Sequence, residues 1–95
     1  MTMLERILEA YPDSVFRQVD GFDDCVVGVG RRCSQPMLLV YDVNKMIQQM
    51  MEQDGMTEEE AWEFYEFNQV GAWVGELTPI FLERVDYGIE DVHTD

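Results

Sequence analysis

Apolar and polar positions alternate at helical spacing most clearly between residues 42 and 78. Val43, Met46, Ile47, Met50 and Met51 recur every third or fourth position, while Asn44, Lys45, Gln48, Gln49 and Glu52 fall between them. That spacing predicts an amphipathic helix. Asp42 stands where a carboxylate can accept from the first-turn N–H groups, and Gly55 stands where a left-handed residue ends a helix. A second helix is predicted from Thr57 to about Asn68, because Thr57 and Glu60 make a capping box and Glu58 and Glu59 sit at the positive end of the helix dipole. Ala61, Phe64, Tyr65 and Asn68 share one stripe of it, widened by Trp62 and Phe67; Glu59, Glu63 and Glu66 form another. So short a connection makes the two helices a hairpin.

Around this hairpin the pattern is shorter. Residues 2–11 read as a helix stopped by Pro12. Residues 14–19 alternate as a strand, with Asp20 and Gly21 as a turn. Residues 24–31 are the best strand, with Val26, Gly28 and Gly30 on one face and Cys25, Val27 and Val29 on the other. Residues 37–41 are a partner strand for an antiparallel hairpin. Gly71 and Gly75 end the second helix and let Ala72 and Trp73 pack. Residues 80–85 fit either a strand or a short helix, and residues 88–95 an acidic, frayed tail. The expectation is a single α+β domain over residues 1–95. In it, a small antiparallel sheet of about three strands is packed by an N-terminal helix and the helical hairpin.

Composition narrows the function. The chain has 95 residues and a net charge of −14. Residues 1–51 hold seven acids and five bases, whereas residues 52–95 hold thirteen acids against Arg84 alone. Such a field disfavours direct contact with nucleic acid or an anionic membrane and favours a protein partner with a basic surface. No apolar run is long enough to span a bilayer, and the acids near the N-terminus argue against a secretion signal. Cys25, Cys33 and His93 are too few for a metal-site argument, so no metal or cofactor is expected. The two thiols read as reduced, although their spacing also permits a disulfide.

Several sharper motifs fail on inspection. Placing Gly55 at the sixth position of a calcium loop puts Met50 first and Ala61 twelfth, and neither ligates calcium. A DNA-reading helix would not carry the acids of residues 58–66 toward a polyanion. The methionine stripe, at helical spacing, reads as core rather than as an adaptable binding face.

From Leu39 to Phe81 the chain reads YD leading into a helix, then MEQDGM, EEAWEFYEFN, GAWVGE and TPIF. With these strings, over a little under half its length, it resembles a widespread family of short hypothetical proteins encoded by tailed phages and prophages. It implies a phage or mobile-element origin and a setting in the cytoplasm of a bacterial host. It implies no reaction, cofactor or substrate. Small phage accessory proteins often bind and disable a host protein, CRISPR components among them.

Three function classes follow. The leading one is a non-enzymatic binder that sets Glu59, Glu63 and Glu66 against a basic host or defence protein, with nucleic-acid mimicry as its strong form. The alternative is a hydrolase or metal-dependent enzyme gathering Asp42, Glu66, Asn68, Glu76 and Thr78 near the glycine-rich turn. No nucleophile–base pair supports it, since the one histidine stands near the end of the chain. The third is a homo-oligomeric structural or assembly factor with Trp62, Tyr65 and Trp73 at the subunit interface.

Overall fold

The computed structural model describes residues 1–70 and 75–85. Helix α1 spans Met3–Ala10, opened by a Thr2–Glu5 capping box, and buries Leu4 and Ile7. Strands β1 (Val26–Gly30) and β2 (Leu38–Asp42) precede α2 (Val43–Asp54) and α3 (Glu58–Tyr65), and β3 (Ile80–Leu82) follows. The caps at Asp42 and Thr57 form as the sequence predicts: Lys45 N–H donates to Asp42 at 3.2 Å and Glu60 N–H to Thr57 at 3.1 Å. Gly55 closes α2 in the left-handed region at φ 71°, where a side chain would be strained. The methionine stripe is core at Met46 and Met50, 0% and 1% exposed, while Met51 stays 39% exposed.

The fold is α+β, with helices covering a three-stranded sheet in the order β1-β2-β3. Its first pair is the expected antiparallel hairpin, but β3 runs parallel to β2, pairing Val40 with Ile80 and Asp42 with Leu82. The sheet is therefore mixed rather than antiparallel throughout. The chain crosses over through α2 and α3 before returning, and a crossover of that length allows parallel strands where a tight turn does not.

Two further expectations change. Residues 14–19 form no strand: Val15 is 72% exposed, and Val19 donates its N–H to the Tyr41 hydroxyl at 2.7 Å instead of to a ladder. In β1 the register shifts between Val26 and Gly28, so Val27 is an extra residue. That bulge turns Val26 to the buried side with Val29, opposite Tyr41 and Leu39, and leaves Gly28 and Gly30 on the other face. At Gly30 a side chain comes close, since a Cβ there would lie 2.6 Å from Ile80 Cδ1, whereas a Cβ on Gly28 would meet nothing within 4 Å.

Helix α3 also ends earlier than predicted. From Glu66 to Val70 the chain continues as a π-helical turn, in which Asn68 Nδ2 donates to Phe64 O at 3.1 Å. The wider turn breaks the expected stripe, leaving Phe67 84% exposed. Residues 80–82 are strand. Gly71, Ala72, Trp73 and the acidic tail lie outside the described residues. Among the described residues no helix is long and apolar enough to cross a membrane.

Cys25 and Cys33 are both free thiols, the first buried and the second exposed. The Cys25 thiol donates to Gln49 Oε1 at 3.5 Å, and Gln49 Nε2 donates to Gly21 O at 2.6 Å, which ties α2 to the turn before β1. Burial pushes the Cys25 thiol up from 9.0 to about 11; Asp24 and Asp42 add to the rise and Lys45 opposes it. The folded chain thus keeps a proton that the unfolded chain releases, so stability falls as pH rises from 9 toward 11. Tyr41 and Tyr65, both raised by burial, act in the same direction above pH 10. Urea melts across this range should show a smaller loss for Cys25→Ala than for the parent chain. Equal losses would show that the thiol does not titrate as its burial requires.

Candidate acidic face on α3

Glu59, Glu63 and Glu66 sit at i, i+4 and i+7, which places them along one side of α3 and its continuing turn. All three are exposed, as is Glu58. Together with Thr57 and Trp62 they line an open hollow of about 770 Å³ that contains no base. The structure therefore brings the three acids together and adds a centre that the sequence pattern had assigned to the apolar side. Trp62 is half-buried, its ring edge-on to Tyr65 at 5.7 Å. Tyr65 is 1% exposed and donates its hydroxyl to Glu83 Oε2 at 2.8 Å, while its ring meets Phe81 at 5.9 Å. The acidic face is thus braced from behind by aromatic contacts that run through to β3. Chemically, the hollow can attract and orient a cationic group beside an aromatic ring.

The alternative polar set is dispersed. Asp42 is 3% exposed; it caps α2 with Oδ1, and its Oδ2 lies 3.1 Å from Arg84 Nε. Arg84 N–H also donates to Asn44 Oδ1 at 3.0 Å. These contacts clamp the end of β3 to the start of α2. Thr78 donates to Gly75 O at 2.6 Å, Asn68 bonds its own helix, and Glu76 is exposed. The parallel register puts Asp42 beside Leu82, whereas Thr78 precedes Ile80, a separation of roughly 13 Å along the strand pair at 3.3 Å per residue. Of the five, Glu76 and Thr78 line a common pocket, and Glu66 stands apart from them on the face of α3. Among the described residues no three His, Cys, Asp or Glu side chains cluster as metal ligands.

Sequence reasoning missed the role of Arg84. The available signal was its solitude: a buried carboxylate that needs a cation has one candidate in residues 52–95. No family model, no curated protein and no solved structure matches the chain.

Proposed function

We propose that the chain is a non-enzymatic accessory protein of a phage or mobile element. In the host cytoplasm it binds a basic surface of a host or defence protein through the acidic face of α3. The observation that carries this reading is the hollow of Glu58, Glu59, Glu63 and Glu66 around Trp62. Stable interfaces commonly pair an aromatic centre with a polar rim. The charge supports it too, since thirteen acids in residues 52–95 steer a cationic partner toward this half of the molecule. Resemblance of residues 39–81 to short phage proteins supports the setting.

Exposed charges act through a field that salt screens within about 8 Å at physiological ionic strength. Association should therefore weaken steeply between low and high salt. Glu59→Gln, Glu63→Gln and Glu66→Gln combined should remove most of that salt dependence, because exposed glutamates contribute steering rather than fold stability. Circular dichroism of the triple variant should match the parent. Salt-insensitive binding, or unchanged binding by the triple variant, would contradict the proposal.

A further inference from the structure

The parallel pairing of β3 has a geometric result away from the acidic face. It brings the end of β1 and the starts of β2 and β3 to one end of the sheet, where a pocket of about 210 Å³ opens. Its apolar lining comes from Gly30, Pro36, Leu38 and Ile80, and Arg31, Arg32, Gln35, Glu76 and Thr78 complete it. We propose that this pocket binds a compact monocarboxylate with an apolar body, the carboxylate held by Arg31 and Arg32 and the body seated on Leu38 and Ile80.

Arg31 and Arg32 are the only adjacent bases among the six in the chain. In a molecule of net charge −14 with twenty acids, neither guanidinium makes an ion pair among the described residues. Among the described residues no acid occupies either fork, and guanidinium matches a carboxylate in bidentate geometry. Glu76 on the same pocket leaves these three groups with one net positive charge, which suits a single negative charge better than two. The volume falls below the roughly 300–1,000 Å³ of sites for drug-sized ligands, which favours a compact ligand. Ile80 lies close over the bare Gly30 and narrows that side further.

This site is independent of the α3 face, and its test can fail while that reading stands. The isotope-labelled full chain is titrated with benzoate, 3-methylbutanoate and cyclohexanecarboxylate, with benzamide as a neutral isostere and inorganic phosphate as a plain anion. At least one carboxylate should give saturable shifts at Gly30, Gln35 and Thr78. Arg31→Gln with Arg32→Gln should weaken it by about tenfold or more, the loss expected when a charge-assisted pair is removed. Glu76→Gln should tighten it. The site is refuted if no carboxylate gives a saturable response, if benzamide equals benzoate, or if phosphate gives the same shifts with the same affinity.

Discussion

Asp42→Ala should destabilise the fold by about 3–5 kcal/mol, a large share of the roughly 5–15 kcal/mol that holds a typical domain together. Two losses combine. The carboxylate caps α2 through Lys45 N–H, and losing such a cap costs about 1 kcal/mol. It also partners Arg84, whose guanidinium would be left partly desolvated. The Arg84 side chain is 38% exposed, so water recovers some of that charge and the lower end of the range applies. Asp42→Asn separates the terms, because asparagine caps as well as aspartate but carries no charge. Urea denaturation of the two variants and of Arg84→Gln should show Asp42→Asn falling between the parent and Asp42→Ala. The cap and the pair should also prove non-additive in a double-mutant cycle with Arg84. A loss under about 1 kcal/mol for Asp42→Ala would mean that the clamp between β3 and α2 is not holding the sheet edge.

Tyr65→Ala should cost about 3–5 kcal/mol, the usual penalty for truncating a buried aromatic side chain. Tyr65 joins α3 to β3 by its ring contacts with Trp62 and Phe81 and by its hydroxyl on Glu83. Tyr65→Phe keeps the rings and loses only a hydrogen bond to a charged group, about 1.5 kcal/mol. The comparison has a functional side, because Trp62 and the acids around it depend on α3 being seated. Tyr65→Phe should leave partner binding intact, and Tyr65→Ala should weaken binding at temperatures where α3 loosens. Thermal melts followed by circular dichroism, with binding measured well below each midpoint, check both arms. Equal stability of the two variants would show that the ring contacts contribute little.

The helices were legible because their signals are local. Asp42, Thr57 and Gly55 act on backbone groups within one turn, so a short window of sequence contains the whole interaction. The sheet was legible only where a short loop joins β1 and β2. Parallel pairing of β3 depends on how α2 and α3 pack, and nothing within residues 80–82 encodes that partner. Residues 14–19 misled because alternation at Val15, Arg17 and Val19 describes a strand only if a neighbour offers hydrogen bonds, and Val19 finds the Tyr41 hydroxyl instead. The bulge at Val27 was hidden for the same reason, since a register belongs to two strands at once.

The candidate site divides along the same line. Glu59, Glu63 and Glu66 share a face by helical spacing alone, which a sequence displays directly. The set of Asp42, Asn68, Glu76 and Thr78 required long-range assembly, and the register of β2 and β3 separates its members. Asp42 was readable as a cap and unreadable as the partner of Arg84, because the pairing crosses the two central helices.

We propose that the acidic face of α3 holds a basic protein partner. The most direct test is affinity capture from bacterial host lysate by the tagged parent chain and by the Glu59→Gln, Glu63→Gln, Glu66→Gln variant, each at low and high salt. A basic protein enriched by the parent at low salt, released at high salt and not retained by the variant is the predicted result. The same proteins retained by both chains at both salts would contradict the account.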